Sequence, residues 1–338
     1  MTSPSSHLAV EHQPPSTQAT LQKLLHGYKS FQILYSAYTS HLFDWLATRT
    51  HPVSKADIVA AQGLRGAHAG AWLQSLVELG CLLQDENGFS LDPGWRKLLV
   101  SSSPWFMGTT LDELATPGGR WSELNRFMHE NQHQTLRAPG MGSPLAAHPQ
   151  HADALTLARH LQHIAPASRS LLCFDASAGL LAAHLCRLLP LEHITLVVPE
   201  TQHDDAISLL QEFGLESRCQ LHTGTPLTFA QEDHYELVLL FHSLYAVRKV
   251  TNDALAAASA RLASGGLLAA AHWFCLEACE PAPGGIEQMD RAVITDYHPM
   301  CHVETFCDRL LNLGLHAADK QDLPGEYGTL KLHLARKP

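Results

Sequence analysis

The chain has 338 residues, enough for two domains and a sizeable core, and its 45% hydrophobic and 17% charged content is that of a globular protein. A formal net charge of −10 argues against a general nucleic-acid binder, which needs a basic footprint, and no apolar run nears the ~18 residues that span a bilayer. Met1–His7 has no basic region ahead of an apolar core, so no secretory signal is expected, and eight cysteines without a paired framework point to reduced thiols in a cytoplasmic setting.

Residues 1–19, rich in Ser, Pro, Thr and Gln, read as a mobile tail. From Leu21 the apolar residues Leu24, Leu25, Tyr28, Phe31, Leu34 and Tyr35 recur at three- and four-residue steps, which predicts a helix, and a second helix is expected over Tyr38–Ala47. Ser54 reads as the N-cap of a short helix to Ala61. A further helix runs from about Ala67 to Leu79 and ends at Gly80, a C-cap residue. Cys81–Gln84 and Gly88–Leu91 flank Asp85-Glu86-Asn87-Gly88 as a hairpin. Helix–turn–helix followed by a β-wing is a winged helix. Its would-be recognition helix carries Ala67, His68, Ala71, Trp72, Gln74, Ser75 and Glu78 and no Lys or Arg, so packing or dimerisation is favoured over DNA binding.

Residues 105–166 read as a helical connector, with Trp105, Phe106, Trp121, Leu124 and Phe127 and a Pro/Gly-rich turn at Pro139–Gly142. His129 and His133 within it share an i,i+4 spacing and are read as solvent-facing. From about Ser168 strands and helices alternate. Strands are expected at 170–174, 193–198, 219–222, 236–241, 267–273, 317–321 and 329–335. Helices are expected at 180–189, 204–213, 251–263 and 303–313. This is an α/β pattern, a mostly parallel, doubly wound sheet with helices on both faces. The strand–tight turn–helix unit Leu171-Leu172-Cys173-Phe174-Asp175-Ala176-Ser177-Ala178-Gly179-Leu180 stands where such folds hold a cofactor. Turns of that kind use several glycines so that backbone N–H groups can approach the ligand; only Gly179 is present here.

The local runs Ile33-Leu34-Tyr35-Ser36-Ala37, Leu76-Val77-Glu78-Leu79-Gly80-Cys81-Leu82, Leu262-Ala263-Ser264-Gly265-Gly266-Leu267 and Leu310-Leu311-Asn312-Leu313-Gly314-Leu315 occur in that order of elements. From about residue 21 to 338 the chain therefore resembles the class I S-adenosylmethionine (SAM)-dependent small-molecule O-methyltransferases with an N-terminal winged-helix dimerisation domain. The resemblance implies a winged-helix domain over 20–104, a connector over 105–166, a Rossmann-like domain over 167–338 and a homodimer. It also implies SAM as cofactor and a small, aromatic or polyketide-like substrate. These are fold signals first and chemistry second.

Position by position, the resemblance puts the acid that opens the cofactor loop at Cys173 and its glycines at Asp175, Ala176 and Ser177, with Gly179 kept. A register with Asp175 as the acid leaves the loop too short. The ribose-binding acid falls on Val198, with Glu200 two residues later, and the acid near adenine falls on Thr225. The catalytic histidine falls on Tyr245. Histidine suits proton removal near neutral pH, whereas tyrosine, with a pKa near 10, does not unless strongly perturbed. His242 lies three residues earlier and is recruited only if that segment is helical. Met289, Asp290, Tyr297 and His298 fall where the substrate is lined. His298, Cys301, His302 and Cys307 carry ligand-type side chains, but their spacing fits no closed zinc pattern, so a loop and helix start is expected and no metal.

Three readings stay open. The first is a tailoring enzyme with an eroded SAM site, repurposed toward proton transfer, cyclisation or isomerisation, using His242, Tyr245, Asp175 and Asp290. The second is an atypical working O-methyltransferase in which Asp175, Glu200 and Thr225 hold SAM and His242 is the base. The third is a non-catalytic partner protein that acts through a dimer face at Phe31, Leu34, Tyr35 and Tyr38.

Overall fold

Near-continuous apolar runs form the centre of a seven-stranded sheet, as expected of strands buried on both faces. The computed structural model describes residues 17–103, 105–129, 150–275, 285–296, 299–325 and 327–338. The chain divides into two units, residues 1–108 and 109–338. The tail through residue 16, Pro139–Gly142 and His133 lie outside the described residues.

In the first unit α1 spans Gln18–Thr39 without a break, so the expected division before Tyr38 is corrected. The turn comes at His41, whose left-handed φ of 57° ends the helical path, and α2 follows over Leu42–Ala47. Helix α3 (Lys55–Gln62) is capped as read: the Asp57 N–H donates to Ser54 Oγ at 3.2 Å. Helix α4 covers Gly66–Glu78, and Gly80 follows at φ 76°. Strands β1 (Leu82–Asp85) and β2 (Gly88–Leu91) pair antiparallel. Their turn is held by Asp85 Oδ1, which accepts from the N–H groups of Asn87 and Gly88. Asp92 caps α5 (Pro93–Leu99), whose first residue is the proline that suits that position. Leu42, Phe43, Ile58, Leu73, Leu76 and Leu82 form this unit's core.

Gly88 has φ 135°, and a Cβ there would lie 2.3 Å from the Val53 carbonyl oxygen. Gly88→Ala is therefore expected to cost at least about 2 kcal/mol, since both backbone strain and a backbone clash oppose it. Urea denaturation of the variant checks this, and a loss near zero would contradict the turn geometry.

In the second unit α6 (Gly108–Ala115), α7 (Leu124–His129) and α8 (His151–Ile164) precede the sheet. Strands β3 (Ser170–Asp175), β4 (His193–Val198), β5 (Cys219–Thr223), β6 (Tyr235–Phe241), β7 (Leu262–His272), β8 (His316–Leu323) and β9 (Leu330–Arg336) lie in the order β5-β4-β3-β6-β7-β9-β8. The first five pair parallel, and β9 runs antiparallel between β7 and β8. Helices α9 (Leu180–Leu188), α10 (His203–Phe213), α11 (Thr251–Ala260), α12 (Gly285–Thr295) and α13 (Phe306–Asn312) connect the strands. Two boundaries differ from expectation. Helix α11 stops at Ala260, because the chain enters β7 at Leu262, five residues early. Gly266 permits this: a Cβ there would sit 2.8 Å from Ala263 O and 3.1 Å from Tyr235 O, so the backbones approach too closely for a side chain. Helix α13 starts at Phe306 after a single 3₁₀ turn over Val303–Thr305.

The strand order reverses direction between β3 and β6, so the carboxyl ends of these two strands open onto the crevice where such sheets bind ligands.

Candidate functional site

Strand β3 delivers Asp175 to that crevice, and the loop then turns on two left-handed residues, Ala178 (φ 54°) and Gly179 (φ 90°), into α9. The Asp175 carboxyl group is fully buried and points back into its own loop. Its Oδ1 accepts from the N–H of Ser177 at 2.8 Å and from the Ser177 hydroxyl, and its Oδ2 accepts from the N–H of Leu181 at 3.1 Å. Burial raises its pKa, and the hydrogen bonds from Ser177 and Leu181 oppose the rise.

A second side chain completes the loop. Gln202, in the 3₁₀ turn Glu200–Gln202 after β4, accepts from the Ala178 N–H at 3.0 Å and donates to the Ala176 carbonyl at 2.8 Å. The Ala176 N–H donates to Phe241 O and the Leu180 N–H to Ser177 O. Five of the six amides from Ala176 to Leu181 thus have partners within the chain. The surviving glycine has a packing reason as well: a Cβ on Gly179 would lie 2.7 Å from Leu196 Cδ2.

Cys173, at the acid position, is fully buried in β3, and burial, followed by the nearby Asp175 charge, pushes its thiol pKa well up. Val198 is buried at the end of β4, while Glu200 is exposed just beyond it. Thr225 closes a local turn in which its N–H donates to Thr228 Oγ1 at 2.8 Å. Asp175, Ser177 and Gly179 therefore come together; Glu200 and Thr225 take part in turns of their own.

The carboxyl ends of β6 and β7 hold a second constellation. The Trp273 N–H donates to Tyr245 Oη at 2.8 Å, and Tyr245 Oη lies 2.7 Å from His242 Nδ1. His242 Nε2 is 3.3 Å from Asp153 Oδ2, which also accepts the Trp273 indole N–H at 2.8 Å. The contact between Tyr245 and His242 runs either as Tyr245 O–H to Nδ1 or as Nδ1–H to Oη, according to the imidazole tautomer. In the first case the neutral imidazole carries its proton on Nε2, on the side of Asp153. The Leu244 N–H donates to His272 Nε2 at 3.1 Å. Asp153, His242, Tyr245, His272 and Trp273 are all between 0 and 3% exposed. Burial raises the Tyr245 pKa well above its usual range and lowers that of His272 well below. Among the described residues, Asp153 Oδ1, Ser243 Oγ, His272 Nδ1 and His242 Nε2 are buried without a hydrogen-bond partner, so the 3.3 Å approach of His242 Nε2 to Asp153 is a close polar contact and not a hydrogen bond.

His242 and Tyr245 meet although the segment is not a helix. His242 takes a left-handed φ of 51° at the end of β6, and a series of turns brings Tyr245 back over it. The requirement for helical spacing is corrected accordingly. Asp153 escaped the sequence reading, yet α8 buries Asp153, Ala154, Leu157, Ala158 and Leu161 on one stripe. A carboxyl group on an apolar stripe is a readable signal. Gln202 had no such signal.

Of the substrate positions, Met289 and Asp290 lie on α12. Met289 packs against Phe127 and Val293, and Asp290 is half-buried, its pKa raised by burial and then by Glu287. On the same helix the Arg291 guanidinium carbon lies 5.8 Å from the Trp273 ring centre, and its Nε donates to Tyr327 O. Tyr297 and His298 lie outside the described residues.

No family model and no curated protein matches the chain. Solved structures do. An O-methyltransferase family protein from Burkholderia thailandensis matches with a TM-score of 0.73 and 18% identity, over 96% of this chain and 99% of its own. The chain has the O-methyltransferase fold. PigF with S-adenosylhomocysteine (SAH) matches at 0.71 and 17% identity, over 95% of this chain and 100% of its own. Human N-acetylserotonin methyltransferase in complex with SAM matches at 0.69 and 17%, over 96% and 99%. No helix among the described residues is long and apolar enough to cross a membrane.

Proposed function

We propose that this protein is a small-molecule tailoring enzyme on the O-methyltransferase fold whose chemistry is proton transfer at Tyr245, His242 and Asp153, without conventional use of SAM. The hydrogen bonds from Trp273 to Tyr245 and between Tyr245 and His242, with Asp153 Oδ2 3.3 Å from His242 Nε2, carry the reading. Buried polar atoms left unsatisfied cost about 1–3 kcal/mol each, and Asp153 Oδ1, Ser243 Oγ and His272 Nδ1 gather around this one place.

The geometry gives a balanced step. A substrate proton passes to Tyr245 Oη while the tyrosine's own proton passes to His242 Nδ1. The imidazolium so formed keeps its Nε2–H toward the Asp153 carboxyl group, and the Trp273 N–H steadies the phenolic oxygen. Tyrosine, with its raised pKa, never has to ionise on its own. Tyr245 is buried, so substrate entry requires the packing over it to open. The substrate class suited to this is an aromatic or polyketide-like metabolite with an acidic C–H or O–H.

The cofactor loop does not suit SAM in the family's manner, because its carboxyl group and five of its six amides are already paired within the chain. A second reading, atypical methyl transfer, is favoured by the full-length likeness to proteins seen with SAM and SAH. In either reading residues 20–104 form a winged-helix dimerisation domain. The exposed Leu21, Leu24, Leu25 and Tyr28 on α1 support a homodimer, and the same surface suits the third reading, a non-catalytic partner.

Calorimetric titration with SAM and SAH tests the proposal. No binding at millimolar ligand is expected. Micromolar binding would install methyl transfer instead. A panel of phenolic and enolisable compounds, followed by mass spectrometry, separates the readings further: proton transfer leaves the mass unchanged, whereas methylation adds a CH₂.

A further inference from the structure

We infer that Asp175 and Gln202 act as the crevice's own occupant: the carboxyl group and the amide take the place of an external ligand at the start of α9 and close the loop from within. This rests on the SAM-independent part of the proposed function and extends it to what holds the loop together. A helix start offers unpaired N–H groups and a partial positive charge, so it attracts an anion. Here the anion is covalently part of the loop. Asp175 takes Ser177 N–H and Oγ–H on one oxygen and Leu181 N–H on the other, with no exposed surface. Gln202 binds the remaining turn in both directions, as acceptor from Ala178 and donor to Ala176, and ties it to the end of β4.

The arrangement accounts for Asp175 and Ser177 at positions where the resemblance implies glycines, and for the backbone of Ala178. A glycine at 175 would supply no carboxyl group. A glycine at 177 would remove the hydroxyl donor. Ala178 accepts the left-handed φ of 54° because Gln202 holds its N–H in place. In this account the loop is a folded-in structural element, complete without any cofactor.

The test is chemical rescue. Asp175→Gly is expected to lower the thermal midpoint by about 5–10 °C. Formate is expected to recover most of that loss, since it can enter the vacated space and accept the same N–H groups, whereas equal ionic strength of chloride is not. The wild type should show no formate response. A variant midpoint within about 1 °C of the wild type, or a loss that formate leaves untouched, would overturn the inference. Should Asp175→Gly not fold, amide hydrogen exchange on the wild type decides. Ser177, Ala178 and Leu181 are expected to be protected with no ligand added, and exchange at the rate of an open loop would overturn it. Protection that arises only on adding SAM would defeat both this inference and the SAM-independent function. Failure of rescue alone would leave the proton-transfer reading standing.

Discussion

Asp153→Ala is expected to destabilise the second unit by about 3–5 kcal/mol, the largest loss anticipated for any single side chain of the site. Asp153 Oδ2 accepts the Trp273 indole N–H at 2.8 Å and lies 3.3 Å from His242 Nε2. Alanine would leave the indole N–H buried with nothing to bond and remove the carboxyl neighbour of His242, in a place almost closed to water. Asp153→Asn keeps one carbonyl oxygen at the meeting point and should cost much less. Urea denaturation of both variants measures the difference. A loss below about 1 kcal/mol for alanine would mean that the indole N–H finds another partner and that Asp153 does not organise the site. The same variants report on function: a structural carboxyl group lowers stability alone, whereas a group that orients His242 also alters the pH profile of any turnover found in the compound panel.

Stability should fall as pH drops from about 6.5 toward 4, steeply enough to see in the urea midpoint. His333 is held neutral, its pKa pushed down to about 4 by burial first and by the Lys320 charge second. His184 is also pushed down to about 4, by burial first and by His151 second. His272 is driven well below its usual value by burial, with His242 and His333 adding to it. For a histidine whose folded pKa is depressed, the unfolded chain takes up a proton near pH 6.5 that the folded chain refuses until about pH 4. The unfolded state therefore binds more protons across that window, and stability is full above it and lost as pH falls through it. Each such group contributes a slope of about 1.4 kcal/mol per pH unit inside the window. Asp175, with its raised pKa, acts in the opposite sense, because burying its ionised form is the costly state. His151 adds to the three histidines and Asp290 to Asp175, so four lowered histidines stand against two raised aspartates. His333→Leu, in a pocket shared with Phe274 and Phe306, should remove one proton's worth of slope. A midpoint that stays flat between pH 7 and 5 would show that these side chains are not buried neutral.

Much of the fold was readable because the signals are local. Ser54 with Asp57, Gly80 after α4 and the Asp85–Gly88 turn each act within a few residues, and each forms as read. The apolar runs of β3, β4 and β6 have the length and composition of buried strands, so their order along the chain pointed to the parallel sheet. The departures arose where a long-range contact outweighed a local preference. His41 ends α1 by adopting a left-handed conformation that apolar spacing does not register. Strand β7 begins early because Tyr235 across the sheet pairs with Leu262.

For the site, residue types were legible and directions were not. Asp175, Ala176, Ser177 and Tyr245 are present in the sequence as residues, and the resemblance implies glycines at the first three positions and a histidine at the last. Whether the Asp175 carboxyl group faces outward to a ligand or inward to Ser177 and Leu181 depends on torsions and on Gln202, which arrives from another strand. Asp153 lies 89 positions before His242, and no pattern within α8 names its partner. The amino-acid sequence by itself thus determined the order of elements, because covalent order and short-range periodicity carry it. The tertiary structure alone decided that Asp175 is turned inward and that Tyr245 and Asp153 flank His242 on its two ring nitrogens, because burial and side-chain direction are settled by packing between segments far apart in the chain.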